Sequence, residues 1–368
     1  FKSRATNAYG GEYMVERKSE LENWAPYGLA KPIPANLRNY LGMLDVEEGK
    51  GPIYMQTAEA IQKIAAGESS PKKAKKKLKM LESEAWEDFL DMTISQALLW
   101  ASTNIQPEVD KSEIAAAEPY FIGSHSGASG AWVSGPEDLQ TEASKGDYFW
   151  GYTNMSTVKG LFCAGDASGA SSHKFSSGSL TEGRITGKAM VKYAKENTET
   201  PAVAEGMVEM LKEKILRPLK TFEDNKDFTT DPDINPAYIR PYMFMFRLQK
   251  IMDEYAGGVS AAFKTNEKLL DQGLTLLNYL REDAEKLGAE SVYELERCWE
   301  NTHRMYQAEA HVRTMLHREE TRWPGYYFRS DHPKMDNENW LCFVNCKYDM
   351  KENKWEMIKR PIHSVIGD

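Results

Sequence analysis

Val158-Lys159-Gly160-Leu161-Phe162-Cys163-Ala164-Gly165-Asp166 runs directly into Ala167-Ser168-Gly169-Ala170-Ser171-Ser172-His173-Lys174-Phe175-Ser176-Ser177-Gly178-Ser179, and this passage decides the fold class. Leu161 to Ala164 is a short continuous apolar run, which predicts a strand buried on both faces. Gly165 permits close backbone approach, and Asp166 stands at the strand's C-terminal end, the edge where open α/β sheets bind ligands. The small-residue loop then reaches Ser177 and Ser179, either of which is a natural N-cap for a helix starting near Leu180. The N–H groups and positive dipole end of such a helix suit an anion or a polarised carbonyl. Gly183 and Gly187, four apart on that helix, predict a face that presses closely on its strand or on a ring. From spacing alone, an ordinary strand–loop–helix unit and a ligand site explain the passage equally well.

Outward from this unit the chain changes character. Residues 1–118 form one stretch, punctuated by Gly10-Gly11, Pro26, Gly28, Pro32 and Pro34, which breaks long helices. Within it, Pro71 to Lys79 is lysine-rich and runs into Glu82, Glu84, Glu87 and Asp88. That pattern predicts a helix with a solvated, charge-paired face rather than an anion site. Residues 119–196 carry the Gly- and Ser-rich chemistry. Residues 197–320 read as a helical bundle, with stripes at Val203-Met207-Leu211-Ile215, Met243-Phe246-Ile251-Met252-Tyr255, Phe263-Leu270-Leu274-Leu277-Leu280 and Val292-Leu295-Trp299-Tyr306-Val312. Residues 321–368 are an irregular aromatic-rich extension with possible strands at 340–346 and 354–358. The expected class is a mixture of α+β and α/β.

Composition narrows the function. At 368 residues, with 41% hydrophobic and 27% charged residues, the chain reads as an ordinary globular protein of two or three domains. A net charge of −9 argues against a nucleic-acid partner, since a phosphate-binding surface needs excess Lys and Arg. No apolar run is long enough for a transmembrane segment. Cys163, Cys298, Cys342 and Cys346 read as reduced thiols, which makes the cytoplasm the expected compartment. Cys342 and Cys346 have a C-x3-C spacing with no second pair following, so thiols packed in the interior are expected and no metal site is assigned. The start at Phe1, in mid-pattern, predicts a portion of a longer chain.

Three blocks carry a family resemblance. Gly160 to Lys188 resembles the second FAD-binding segment of the fumarate reductase/succinate dehydrogenase flavoprotein superfamily. Ser124-His125-Ser126-Gly127-Ala128-Ser129-Gly130 is similar to its His-x-x-x-Gly-Gly stretch, with Ser129 in place of the first glycine. Arg318-Glu319-Glu320-Thr321-Arg322 and Arg329-Ser330-Asp331-His332-Pro333 resemble its helical-domain signature. More narrowly, Ile122–Pro136, His173–Arg184, Arg247–Ala256, Glu320–Tyr327, Asn7–Gly10 and Pro32–Asn39 are similar to the alpha subunits of dissimilatory adenylylsulfate (APS) reductases, across essentially the whole chain.

The resemblance implies a partial, Rossmann-like FAD-binding domain (its second half only, since Gly-x-Gly-x-x-Gly is absent) with a capping domain and a C-terminal helical bundle. It implies two-electron reduction of adenylylsulfate to sulfite and AMP, or the reverse, through a flavin N5–sulfite adduct. FAD would be held non-covalently, and the iron–sulfur clusters would sit only in a partner beta subunit. Carried over, Gly165, Asp166, Lys174, Ser177, Gly178, Ser179 and Leu180 would bind the flavin. His125 and Arg38 would face substrate, Arg38 on a loop after Pro34-Ala35-Asn36, because an arginine fork suits tetrahedral oxyanions. The segment Trp323 to Phe328 with Trp340 would either dock the beta subunit or pack the tail onto the helical domain. Two alternatives stay open: a dicarboxylate or amino-acid oxidoreductase of the same superfamily, and a non-catalytic module that binds an iron–sulfur partner.

Overall fold

The computed structural model describes residues 5–31, 33–92, 101–106, 109–114, 130–137, 148–169, 176–229 and 235–362. Two compact units emerge, interleaved along the chain: residues 1–123, 257–264 and 321–335 in one, and 124–256, 265–320 and 336–368 in the other. The four stretches read from the sequence, 1–118, 119–196, 197–320 and 321–368, are distributed over these two units. The closing stretch 321–368 divides at Met335/Asp336, and its first part packs with the N-terminal unit.

The first unit is built on a small antiparallel sheet. Strand β1 (Ala5–Thr6) is followed by helices α1 (Tyr13–Glu16) and α2 (Ala35–Glu47), then β2 (Ile53–Met55), α3 (Thr57–Ala66), α4 (Pro71–Met92) and β3 (Ser112–Ile114). β2 is central: Ala5 pairs with Met55 on one side, and Ile53 with Ile114 on the other. Alternation along β2 buries Ile53 and Met55 and leaves Tyr54 half-buried. Ile53 joins Ala5, Tyr13, Met14, Leu21, Trp24, Leu37 and Leu41 in one core, while Met55 joins Ile61 and Leu81 in another. The lysine-rich stretch is helical as its charge pattern predicts, with most of its lysines exposed.

Helix α2 presents three faces. Leu37, Leu41 and Leu44 recur at helical spacing and enter the core. Asn36, Asn39 and Tyr40 face the Trp323–Phe328 segment. Asn36 Nδ2 donates to Pro324 O at 3.2 Å, Asn39 Nδ2 donates to Gly325 O, and Tyr40 stacks on Phe328 with ring centroids 6.0 Å apart. Gly325, at φ +89°, comes so close to the helix that an added Cβ would lie 2.1 Å from Asn36 O. Residues 323–328 thus pack on α2 of the first unit, whereas Trp340, expected to act with them, is buried in the second unit with its ring 5.4 Å from that of His317. The third face carries Arg38, Gly42 and Asp45.

The second unit contains α5 (Ser176–Glu196), α6 (Met207–Asn225), α7 (Pro241–Tyr255), α8 (Glu267–Ala284), α9 (Val292–His317), the short α10 (Asn337–Trp340) and a hairpin, β4 (Cys342–Asp349) with β5 (Lys354–Pro361). The hairpin pairs in register from Cys342↔Pro361 to Asp349↔Lys354. Asp349 accepts the N–H groups of Lys351 and Glu352 in its turn, which holds its carboxyl below the usual range. The bundle stripes differ from expectation in detail. In α7 the buried face is Phe244, Leu248 and Ile251, while Met243 and Phe246 are exposed. In α9 it is Cys298, Asn301, Met305, Ala308, Val312 and Met315, while Val292 is exposed. Asn301 and Glu309 lie on this buried face because each has a hydrogen-bonding partner there, a possibility that apolar periodicity cannot register.

Glu309 ties the bundle to the hairpin. It accepts from Arg313 Nε at 2.9 Å and Trp355 Nε1 at 2.8 Å and pairs with Arg281. The stretch 318–322 is likewise structural: buried Glu320 accepts from Arg318 Nη1 (2.6 Å) and from Asp336 N–H (2.9 Å). Arg318 also donates to the carbonyls of Trp340 and Cys342, and Trp340 is itself buried.

Candidate functional site

The candidate residues fall in both units, and each neighbourhood is built separately. In the first, Arg38 lies in the opening turn of α2, not on the loop the sequence suggested. Pro34 is the N-cap and accepts the Arg38 N–H at 3.1 Å. A proline at a helix start gives up no intrahelical bond and its fixed φ is compatible with entry, so the Pro-rich run begins a helix here. Arg38 is half-buried, and its Nε is buried without a hydrogen-bond partner.

The surroundings of Arg38 were not singled out by the sequence. Gly42, one turn along the same face, receives the phenol end of Tyr13, and a Cβ there would sit 3.7 Å from the Tyr13 oxygen. Burial pushes the Tyr13 hydroxyl up to about 12; Arg38 pulls it down and Asp45 pushes it up. Asp45 is neutralised in place, accepting from Arg17 Nε at 2.5 Å and Asn7 Nδ2 at 2.8 Å. Burial also raises the half-buried Tyr326 hydroxyl, against the opposing pull of Arg38. Arg38 thus acts electrostatically on two phenols, Tyr13 and Tyr326, whose hydroxyls burial shifts further up. Uncharged phenols leave the guanidinium's charge available to an incoming anion.

In the second unit, the run Leu161 to Ala164 is not a strand. Phe162 forms one isolated bridge with Met155, and Leu161 is 52% exposed. A fully buried strand needs a ladder on both sides, and among the described residues this run forms a single bridge, with the Leu161 carbonyl and Cys163 N–H bonded to the same neighbouring segment. Gly165 adopts φ +63° and opens a 3-10 turn over Gly165–Ala167; Gly165 is buried and Asp166 is exposed. Ser168 bridges Ala131, and Gly130 packs on the backbone at Ala167–Gly169.

Helix α5 includes Ser176 onward, so Ser177 and Ser179 lie inside it and neither is the N-cap of a helix starting near Leu180. The Ser177 carbonyl already accepts from Thr181 Oγ1 at 2.8 Å. Leu180 is exposed, and Gly178 and Ser179 are half-buried. The packed face of α5 is neither Gly183 nor Gly187, since an added Cβ at either meets nothing within 4 Å. It runs instead through Ser179, Glu182, Thr186, Tyr193 and Asn197, which recur at intervals of three, four and seven. A Cβ on Gly165 would stand 3.1 Å from Ser179 Oγ. Glu182 Oε2 accepts the Gly165 N–H at 2.7 Å, and Thr186 Oγ1 accepts from Asn154 Nδ2 at 2.8 Å. Tyr193 meets Phe162 and Tyr152 edge-on, at 5.8 and 5.0 Å between ring centroids. Glu182 was not singled out from sequence, although Ser179-x-x-Glu182 has the spacing of a capping box.

His125 and Lys174, the remaining candidates, lie outside the described residues. Among the described residues, no group of three or more His, Cys, Asp or Glu side chains could hold a metal ion. Cys342 and Cys346 share one face of β4 and are half-buried rather than fully interior, and burial pushes the Cys346 thiol up. No described helix is long and apolar enough to cross a membrane.

Comparison with known proteins places these features. Residues 246–366 match the family model for the fumarate reductase flavoprotein C-terminus. The adenylylsulfate reductase subunit alpha of Megalodesulfovibrio gigas is 44% identical over all of this chain and 55% of its own length. Adenylylsulfate reductase from Archaeoglobus fulgidus superimposes with a TM-score of 0.89 at 51% identity, covering 98% of this chain and 56% of that one. A structure described as adenosine-5-phosphosulfate reductase in complex with sulfite, as a covalent adduct, gives the same values. Quinol-fumarate reductase of E. coli, at 14% identity and a TM-score of 0.57, shares the fold. The chain thus spans about half the length of the relatives it matches.

Proposed function

Because this chain is a homologue of adenylylsulfate reductase alpha subunits, we propose that it supplies part of an FAD-dependent oxidoreductase interconverting adenylylsulfate with sulfite and AMP. The observation that carries the reading is the match along its whole length, at 44–51% identity, to proteins bearing that name. Local structure supports it. A sulfate- or phosphate-bearing substrate needs a cationic fork, and the Arg38 guanidinium has a buried Nε donor that no acceptor among the described residues satisfies.

The residues of the second unit fit a non-covalently held flavin. Gly165, with positive φ and no Cβ, allows close approach, and the exposed Asp166 carboxylate can accept ribityl hydroxyls. The first turn of α5, through Ser177, Gly178, Ser179 and Leu180, offers N–H dipoles to a polar ring edge. When bound, the flavin supplies the electron pair needed to cleave the sulfo–phosphate anhydride. The chain's own residues bind, orient and neutralise charge: Arg38 takes the oxyanion, His125 donates to the sulfonyl oxygens, and Lys174 adds positive charge beside the flavin. We assign the iron–sulfur clusters to a beta subunit and the compartment to the cytoplasm. Cys298, a buried thiol pushed up to about 12, is a poor thiolate ligand.

The test is AMP-dependent reduction of ferricyanide by sulfite in the purified enzyme, with Arg38→Ala and His125→Ala beside wild type. AMP-dependent turnover that collapses in both variants with FAD retained supports the reading. Turnover of a dicarboxylate in place of sulfite refutes it, and unchanged rates in the variants refute the site.

A further inference from the structure

The Gly165–Asp166 turn is held by a side chain that the flavin reading above does not use. Gly165 is buried, its φ of +63° turns the backbone sharply, and its N–H is not spent on a ladder. Glu182 Oε2 accepts that N–H at 2.7 Å. Glu182 lies one turn after Ser179 on the packed face of α5, and Ser179 Oγ stands where a Cβ of Gly165 would press. The turn is therefore held to the helix that follows it by one hydrogen bond, at a place where the two approach closely. A charged acceptor makes the stronger latch, and a backbone N–H buried without one is costly to maintain.

From this we infer that Glu182 is a positioning residue for the flavin: by holding the Gly165 N–H it fixes the turn that aims the Asp166 carboxylate at the ribityl chain. The inference rests on the flavin reading and adds a residue to it. Asp166 is exposed and sits in a three-residue 3-10 turn, so its direction depends on the residue before it. Asn154 to Thr186 and Tyr193 to Phe162 hold the following turns of the same helix face, leaving Glu182 to set the end nearest Asp166.

The experiment strips flavin from the purified enzyme in its native assembly and titrates FAD back, following flavin fluorescence and the visible spectrum. Glu182→Ala should weaken FAD binding by about tenfold or more, while Glu182→Gln, whose amide oxygen can still accept, should stay within about threefold of wild type. Thermal unfolding of the apoproteins, similar in wild type and Glu182→Gln, separates a lost latch from a lost fold. Equal FAD affinity in wild type and Glu182→Ala overturns the inference alone. So does a Glu182→Gln variant as impaired as Glu182→Ala, because then the carboxylate's charge, and not the hydrogen bond, is what matters. A wild-type enzyme that takes up no FAD overturns the flavin reading and the inference with it.

Discussion

Arg38 and Arg313 are both half-buried arginines on helices, yet their surroundings are opposite. Arg313 donates Nε to Glu309 at 2.9 Å, and its guanidinium lies 5.7 Å from the Trp355 ring centroid. Glu309 is in turn filled by Arg281 and the Trp355 indole. Arg38 acts on two buried phenols and has a buried Nε with no acceptor among the described residues. An arginine paired with a carboxylate has its charge spent on holding elements together. An arginine buried among neutral groups keeps a field that an anion can use. Arg281 also has a buried Nε without an acceptor, so the contrast rests on the carboxylate that pairs with Arg281 and Arg313, for which Arg38 has no counterpart among the described residues.

The comparison can be broken from the structural side first. Glu309→Ala leaves two arginines without their counter-ion and should cost about 3 kcal/mol of stability, read by denaturant unfolding. Activity per folded molecule should be retained. If unfolding is unchanged, the Glu309 cluster is not the lock described here.

The loop beside Arg38 gives the next effect. Gly325→Ala places a Cβ against the Asn36 carbonyl at a positive φ and should cost about 1–3 kcal/mol while unseating Tyr326. Its signature is a raised KM for the anionic substrate with FAD content unchanged. A variant with wild-type stability and KM would show that the loop does not shape the Arg38 neighbourhood.

The smallest effect is a pH dependence. The folded chain holds the Tyr13 proton to about 12, against an ordinary value of 10.0. The native state therefore binds more protons than the unfolded one between those values, and stability falls as pH rises through them. This contribution is fully present below pH 10 and is lost by about pH 12. Tyr13→Phe should flatten that part of the stability profile. Cys298, moved from 9.0 to about 12, adds a slope that begins lower, and Cys298→Ala should remove it. Profiles identical to wild type in both variants would contradict the assigned burial.

Much of this architecture was legible in the chain. Charge alternation located α4, and apolar stripes located the bundle helices. The possible strands at 340–346 and 354–358 fall on the two arms of the hairpin, although Trp340 belongs to the short helix before it and both arms run further, to Asp349 and Pro361. What escaped did so for identifiable reasons. Pro34-Ala35-Asn36 reads as a turn, but proline also begins helices, so α2 was taken for a loop. Leu161 to Ala164 has strand composition, yet a strand is a property of its neighbours, and here only Phe162 finds a bridge. Asn36, Asn39 and Glu309 are polar residues on packed faces, each satisfied by a partner far away in sequence. At the candidate site, Gly165, Asp166 and the Ser177–Leu180 turn were visible as types in order, but Glu182 was not. Its role exists only once the backbone N–H it accepts is placed beside it.

The most direct test of the claim about Arg38 measures Arg38→Ala in two ways, by steady-state kinetics and by unfolding, with Glu309→Ala as the reverse control. The account predicts at least a hundredfold loss of AMP-dependent sulfite oxidation, about 2.7 kcal/mol of transition-state stabilisation, with an unfolding midpoint near wild type. Full activity in a destabilised Arg38→Ala protein would contradict it, and would place Arg38 with Arg313 among the arginines that hold the fold.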